Sequence, residues 1–250
     1  MPSVIQREFG GFPFLDNGFL PGRVLAAAAM CRWSIAHPDG RTPDSDALAA
    51  LLDPAEAKRI RARHHTLDLP YGTLGLQQKK QIEETRSRIA ELIPEWQPLI
   101  RLPMEFLELQ HSQAISSSNF AWPQHVFLAK RAFTSGEVLA EQILHETSHQ
   151  WLYLLEEMFA LQTGAAVRFT LPSGTADRSA TELLGAAHVV VNLRKLWLRL
   201  PVSEPQRQAR LHHLAGYGSG CADLLDTATG VLTSEGQILA ARLIEEIRKP

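Results

Sequence analysis

The residues of this chain with the clearest chemical potential are two histidines and a glutamate in the segment 142–151. His145 and His149 are four positions apart, so on a helix they lie one turn apart on one face and can present two imidazoles to one metal ion. Glu146 follows the first histidine and can reach a water or a substrate beside that metal. The spacing predicts a metal site. It leaves the reaction open, because zinc hydrolysis and iron oxidation both use such pairs.

A helix must position this motif, and the surrounding sequence predicts one. Thr134 or Ser135 can cap its start, Glu137 lies in the first turn, and neither Gly nor Pro interrupts residues 137–162. Apolar residues fall on several sides of this segment, which is typical of a buried helix. Polar side chains on a buried helix need a compensating partner, so a metal is favoured over a chance pairing among the chain's 10 histidines.

A third protein ligand is expected, since two imidazoles rarely hold a catalytic metal alone. A second predicted helix, residues 180–198, offers two candidates. Glu182 would complete a site of two histidines and one carboxylate, whereas His188 would complete a site of three histidines. Six positions separate them, so they face different directions and only one is expected to bind the metal. The competing interpretations are that His188 is a hydrogen-bonded core histidine and that Glu182 is a solvated or salt-bridged carboxylate.

Arg178 stands just before this second helix. Its guanidinium is the group expected for a bidentate grip on a carboxylate, such as that of a co-substrate. The alternative is a surface arginine that pairs with Asp177 or Glu182.

Composition excludes several classes of protein. The chain has 250 residues, 45% of them hydrophobic and 21% charged, as in an ordinary globular protein with a sizeable core. A net charge of −2 favours neither a nucleic-acid nor a membrane partner. Only Cys31 and Cys221 occur, and the first residues lack the layout of a signal peptide, so we expect reduced thiols and a cytoplasmic protein.

Most of the chain is predicted to be helical. Residues 1–22, rich in Gly, Pro and Phe, are expected to form an irregular but packed segment. The adjacent His64 and His65 point away from each other on a helix, so a solvated helix end is favoured there. The pattern predicts a mainly α fold with a few short β-strands, built as a single domain over residues 1–250 around the buried motif helix. The expected strands are 106–110, 125–129 and 167–171.

The second half of the chain, from His125 onward, resembles the HExxH-type 2-oxoglutarate-dependent peptide β-hydroxylases of bacterial natural-product clusters. The first half matches that family only as helices. The metal motif is the sharp part of the resemblance, and the other segments match loosely. The segments that carry it are His125-Val-Phe-Leu-Ala129, residues 141–150, Arg178, Gly185-Ala-Ala-His188 and Leu232-Thr-Ser-Glu-Gly-Gln-Ile-Leu239.

The resemblance implies an Fe(II) centre with 2-oxoglutarate as co-substrate. It implies that His145, His149 and His188 bind the metal, with Glu182 as the alternative third ligand, and that Arg178 binds 2-oxoglutarate. The implied reaction is hydroxylation of an unactivated β-carbon of an amino-acid residue, in a peptide or amino-acid substrate that includes leader-bound and carrier-bound forms.

A zinc-dependent metallopeptidase of the gluzincin-like type is the alternative. In that reaction Glu146 would be the general base that takes the proton of the attacking water. In the oxygenase, Glu146 would orient a ligand or the substrate. A binding module without enzymatic activity is the least favoured interpretation.

Overall fold

The computed structural model describes residues 3–61, 70–164 and 166–249. The predicted mainly α fold with a few short strands is confirmed. The pair His64 and His65 lies outside the described residues. The described helices are α1 Val4–Phe9, α2 Pro21–Ala36, α3 Ser45–Ala50, α4 Pro54–Arg61, α5 Leu76–Leu92, α6 Gln97–Ile100, α7 Gly136–Glu156, α8 Ala180–Trp197, α9 Glu204–Thr227 and α10 Ser234–Arg248. Single 3-10 turns lie at Pro94–Trp96, Lys130–Phe133 and Thr229–Val231.

The chain divides into two compact units. Residues 20–158 form one unit, called here the sheet unit because it contains all the described strands. Residues 1–19 and 159–250 form the other, called here the helical unit. The single domain expected from the sequence stays a prediction.

The sheet unit contains a four-stranded sheet with the order β1-β2-β4-β3. Its strands are β1 Tyr71–Thr73, β2 Glu105–Leu109, β3 Ser116–Ser117 and β4 His125–Leu128. β2 and β4 are parallel, and the two outer pairings are antiparallel. β2 and β4 follow the predicted strands closely, whereas β1 and β3 were not predicted, because two or three residues carry too little periodicity to be recognised.

Strand β4 lies inside the sheet, and all four of its residues are buried. It reads as a continuous apolar run after His125, which is the pattern of a strand covered on both faces. One face packs into a cluster that includes Trp122 and Phe127, with ring centroids 5.3 Å apart. The strand that precedes the motif helix is therefore anchored by apolar packing.

The N-terminal segment is less irregular than predicted, and its residues up to Phe19 belong to the helical unit. Residues 1–22 contain α1 and the start of α2, so the prediction was wrong over Val4–Phe9. The cause is a capping box, in which the Ser3 hydroxyl accepts from the Gln6 N–H and the Gln6 side chain accepts from the Ser3 N–H. Gly10 then ends the helix in the left-handed conformation with φ 73°.

The rest of the helical unit is formed by α8, α9 and α10, which pack on one another. The strand expected at 167–171 is absent from the described residues, where a single bridge joins Phe169 to Arg178. In the part of the chain that the structure describes, no helix combines the length and apolarity needed to cross a membrane.

Candidate metal centre

Helix α7 carries the motif and begins where the sequence predicts. The Ser135 hydroxyl accepts from the backbone N–H of Val138 at 3.2 Å, which caps the first turn. The helix continues to Glu156, six residues short of the end that the absence of Gly and Pro would allow. The motif lies in the middle of a 21-residue helix, where backbone hydrogen bonds fix its geometry.

Only one side of α7 reaches solvent near the motif. Ile143, Leu144 and Glu146 are buried, whereas His145 and His149 are half-buried. The partly exposed positions recur at helical spacing and define a narrow stripe, called here the open stripe. Its members are Gln142, His145, His149, Tyr153 and Glu156.

The two histidines of the open stripe converge. Their Nε2 atoms are 3.2 Å apart, and their ring centroids are 4.9 Å apart. Two imidazole nitrogens bound to one ion at ~2.0–2.1 Å lie ~3 Å from each other, so the observed separation fits shared coordination. Without a cation, one nitrogen must carry a proton between them, because two lone pairs at this distance repel. His145 and His149 therefore fit a transition-metal ion as a pair of neutral imidazole donors.

Glu146 lies beside this pair but points into the protein. Its side chain is 3% exposed, and its Oε1 lies 3.9 Å from the Nε2 of His145. The same oxygen is 2.5 Å from the Ser116 hydroxyl on β3, which in turn lies 2.7 Å from the Gln142 side-chain oxygen. Strand β3 therefore holds the glutamate next to the histidine pair.

Further along α7, Gln150 fixes the helix to the sheet. Its amide donates to the His125 carbonyl at 2.9 Å, and its oxygen accepts from the Gln124 N–H at 2.6 Å. The two hydroxyls inside the motif are satisfied on the helix itself, Thr147 at the Ile143 carbonyl and Ser148 at the Leu144 carbonyl. The motif is thus held from both sides, by Ser116 near its start and by Gln150 at its end.

A buried ion pair fixes the C-terminal end of α7 to α2. The Arg32 guanidinium donates to both carboxylate oxygens of Glu157, at 2.8 and 2.9 Å, and the two side chains are 2% and 4% exposed. Arg32 also donates to the Gln124 side-chain oxygen and to the Leu51 carbonyl. Gln124 joins this network to Gln150, so one set of polar contacts reaches from the motif to the helix end.

Aromatic side chains extend the open stripe beyond the histidines. The Tyr153 ring stacks on His149 with centroids 6.0 Å apart and an interplanar angle of 16°. Phe120 meets Tyr153 edge to face at 5.9 Å. The histidine pair is therefore bounded on this side by an apolar aromatic wall.

His188, the third ligand implied by the resemblance, lies in the helical unit. It is fully buried, and its Nε2 is 2.8 Å from the Pro13 carbonyl and 3.2 Å from the Asn192 side-chain nitrogen. A nitrogen that faces a carbonyl carries the proton, so Nε2 is a donor here, and a metal-binding role of His188 would have to use Nδ1. The side chain serves as a hydrogen-bonded core histidine in its own unit, and its role as a ligand stays a prediction.

Glu182 and Arg178 also lie in the helical unit, where they form an ion pair with Nη1 and Oε1 2.5 Å apart. Glu182 is in addition the third residue of a capping box with Ser179 at the start of α8. Burial alone would raise the pKa of the Glu182 carboxyl, but hydrogen bonds from Ser179 and Arg178 outweigh it and lower that pKa. Arg178 and Glu182 thus pair with each other, as the alternative interpretations of both residues expected. The role of Glu182 as a metal ligand and that of Arg178 in binding 2-oxoglutarate stay predictions.

Within the described residues, no group of three or more His, Cys, Asp or Glu side chains is placed to hold a metal ion. His145 and His149 are the members of the predicted set that the structure brings together. The third ligand, His188 or Glu182, stays a prediction from the sequence.

The third ligand is best tested by paired variants. We expect His188→Ala to lose Fe(II) binding and Glu182→Gln to keep it, because the charge of Glu182 is already engaged by Arg178. His188→Ala also removes the hydrogen-bond donor to the buried Pro13 carbonyl. The free energy of unfolding of this variant should therefore fall by ~2–4 kcal/mol. Metal content must therefore be measured at a temperature where circular dichroism shows the variant folded. Full metal content in folded His188→Ala would exclude it as a ligand.

Sequence reasoning missed Ser116 and the aromatic wall. Residues 112–119 are mostly polar and carry no strand pattern, yet Ser116 pairs with Leu128 in the sheet and contacts the motif glutamate. Tyr153 could have been found, since it follows His149 by four positions and so shares its face of α7. Phe120 comes from a loop and has no such pattern.

No protein-family model matches this chain, and no curated protein is significantly similar to it. The functional assignment therefore rests on the motif helix and its neighbours. The most specific feature among these is the convergence of the two imidazoles.

Proposed function

We propose that this chain is an Fe(II)- and 2-oxoglutarate-dependent oxygenase. It would hydroxylate an unactivated β-carbon of an amino-acid residue in a peptide or a related natural-product substrate. That substrate could be attached to a leader peptide or to a carrier protein. The observation that carries the proposal is the 3.2 Å approach of the His145 and His149 Nε2 atoms on the open side of a buried helix. The resemblance of residues from His125 onward to the peptide β-hydroxylases supports iron over other metals.

In this proposal each side chain of the centre has a stated task. His145 and His149 would hold the metal through Nε2. When bound, iron and 2-oxoglutarate would supply the oxidising chemistry that hydroxylates the carbon. Glu146, held by Ser116, would keep a fixed negative charge or a hydrogen-bond acceptor beside the His145 ring and so orient it. Tyr153 and Phe120 would exclude water from one side of the site.

The second candidate is a zinc metallopeptidase. The observation that favours it is the position of the Glu146 Oε1, 3.9 Å from the His145 Nε2, where the carboxylate could accept the proton of a water beside that nitrogen. Zinc would supply a polarised carbonyl and a water of lowered pKa. Against it, the same oxygen is engaged by the Ser116 hydroxyl.

We also propose a cytoplasmic location. Both Cys31 and Cys221 are free thiols, as expected for a reducing compartment. Burial raises the pKa of Cys221 to about 12, which keeps its thiol protonated and unreactive.

Metal reconstitution separates the two candidate reactions. The purified protein is loaded with Fe(II) without oxygen or with Zn(II), and each form is then given oxygen, with and without 2-oxoglutarate. Succinate formed only by the iron form supports the oxygenase. Hydrolysis of a casein-derived peptide mixture by the zinc form, without any need for 2-oxoglutarate, would reject it in favour of the peptidase.

The role of Glu146 gives a prediction that differs between the two reactions. In the oxygenase, we expect Glu146→Gln to keep metal binding and to lose no more than ~10-fold in succinate formation, because a neutral amide can still accept from Ser116. In a peptidase, the same variant should lose ~100- to 10,000-fold in rate, the range for a general base. The measurement is the initial rate of each product with metal content determined on the same sample.

Glu137→Gln is the matched control for this experiment. It makes the same chemical change in the first turn of α7, away from the motif. Its rate should equal that of the unchanged protein within about twofold.

A further inference from the structure

The segment from Ser116 to Phe120 runs along α7 beside the candidate metal centre, within the sheet unit. At one end the Ser116 hydroxyl lies 2.5 Å from the Glu146 Oε1, and at the other the Phe120 ring meets Tyr153 edge to face at 5.9 Å. Four residues of extended chain span ~13 Å, and α7 rises ~10 Å between Glu146 and Tyr153. Because these lengths are similar, the middle of the segment lies beside the middle of that stretch of helix.

Ser118 is the middle residue of this segment, and His149 lies near the middle of the facing stretch of α7. Ser118 directly follows β3, and successive side chains of an extended segment alternate between its two sides. Ser118 therefore lies on the same side as Ser116 and Phe120, both of which contact α7. This alternation places the Ser118 side chain toward the histidine pair.

The Ser118 hydroxyl has no hydrogen-bond partner within residues 3–61, 70–164 and 166–249, although its Oγ atom is buried. By contrast, the Ser116 hydroxyl contacts Glu146, and the hydroxyls of Thr147 and Ser148 donate to carbonyls of α7. A buried hydroxyl without a partner is unfavourable, so a ligand that places a polar group here gains a hydrogen bond and removes that penalty.

The candidate metal centre thus offers a ligand two kinds of contact beyond the histidine pair. The His145 side chain is 37% exposed, so a molecule from solvent can reach it. On one side lies the aromatic wall of Phe120 and Tyr153, and beside it lies the hydroxyl of Ser118. An apolar surface with one placed polar group is typical of sites that orient a ligand. A large apolar residue with an amide next to it has both complementary groups.

We propose that Ser118 donates a hydrogen bond to the carbonyl that acylates the amino group of the hydroxylated residue, whose large apolar side chain packs against Phe120 and Tyr153. A neutral hydroxyl suits a neutral carbonyl, which a peptide supplies at this position and a free amino acid lacks. Both contacts rest on the proposed function, and they narrow its substrate to a large apolar residue within a peptide.

Hydroxamates test the Ser118 contact, because they bind a metal through their own two oxygens and need no turnover. Calorimetry measures the binding of two probes to the Zn(II)-loaded protein. One is N-acetyl-leucine hydroxamate, and the other is 4-methylpentanohydroxamate, which keeps the leucine side chain and lacks the acetamido group. We expect Ser118→Ala to lose ~3- to 10-fold in affinity for the first probe, as for one hydrogen bond, and to keep its affinity for the second. Ser118→Thr, which keeps a hydroxyl, should retain more of the affinity for the acetylated probe.

A third probe, N-acetyl-glycine hydroxamate, tests the aromatic wall because it lacks the side chain. The unchanged protein should prefer the leucine probe over the glycine probe. Phe120→Ala should reduce this preference by ~4-fold or more, the effect of about one buried CH2 group. Tyr153→Ala should act in the same direction and tests the wall independently, since alanine is well tolerated in a helix. The ratio of the two affinities is unaffected by any change in metal binding, because both probes carry the same hydroxamate.

Ser117→Ala is the matched control, since Ser117 pairs with Phe127 and faces the opposite side of the sheet from Ser118. It should bind all three probes as the unchanged protein does. If Ser118→Ala does not alter the ratio of affinities for the two leucine-like probes, or if the unchanged protein shows no preference for leucine over glycine, the proposal is wrong. Absence of hydroxamate binding by the metal-loaded protein would also overturn it. Absence of succinate formation with the hydroxamate contacts intact would instead reject the oxygenase and leave the Ser118 contact in place.

Discussion

His149→Ala is expected to abolish stoichiometric metal binding and all metal-dependent turnover. The Nε2 atoms of His145 and His149 lie 3.2 Å apart, so removing either leaves one imidazole to hold the ion. Losing a residue that only hydrogen-bonds to a metal ligand typically costs about 10- to 100-fold in metal affinity. Losing a ligand itself should therefore cost more than ~100-fold. The measurement is metal content by mass spectrometry after dialysis, with His145→Ala expected to behave alike.

Alanine favours the helix, so α7 should persist in both variants and circular dichroism should not change. His212→Ala is the matched control, since this histidine is exposed on α9. Its metal content should equal that of the unchanged protein. Full metal content in dialysed His149→Ala would remove the candidate metal centre, and with it the proposed function.

Arg32→Met is expected to be the most destabilising single change in the sheet unit, lowering the free energy of unfolding by ~3–5 kcal/mol. The substitution leaves the buried Glu157 carboxylate without its bidentate partner, and it leaves the Gln124 oxygen and the Leu51 carbonyl without a donor. Arg61, 3.9 Å away, can compensate only part of the charge. Urea unfolding followed by tryptophan fluorescence measures the change.

A double variant separates the lost ion pair from lost packing. Arg32→Met combined with Glu157→Met removes both charges, and replacing a whole buried pair by apolar groups is often close to neutral. The double variant should therefore be more stable than Arg32→Met alone. If it is less stable, the uncompensated charge is not what destabilises the single variant. Arg59→Gln, which loses a surface ion pair, should change stability by less than ~1 kcal/mol.

The parts of the fold that the sequence predicts well are those with strong local patterns. Helix α7 is capped by Ser135, one of the two predicted caps, because the hydroxyl and the apolar periodicity both act within a few residues. α8 follows its prediction to within a residue for the same reason. The strand at β4 was found because its apolar run is continuous, whereas β3 has two serines and no pattern at all.

The side chains around the motif were harder to predict, because their contacts join distant parts of the chain. Ser116 binds Glu146 across 30 residues, and Arg32 binds Glu157 across 125. The residue type alone does not predict a partner that is so distant in the sequence. The spacing of His145 and His149, by contrast, defines their convergence within one turn of helix, so the sequence alone predicts it.

The contact of Ser116 with two side-chain oxygens has a consequence for the hydrogens around Glu146. A serine hydroxyl has one proton to donate, and here it lies between the Glu146 carboxylate and the Gln142 amide. If Glu146 is ionised, that proton goes to the carboxylate, and the amide must turn its NH2 group toward the serine. If Glu146 carries a proton, every bond in the row reverses, and the amide oxygen becomes the final acceptor. The orientation of the Gln142 amide is therefore coupled to the charge of Glu146 through the Ser116 hydroxyl. The hydrogen bonds of these three side chains run in one direction when Glu146 is ionised and in the opposite direction when it is protonated.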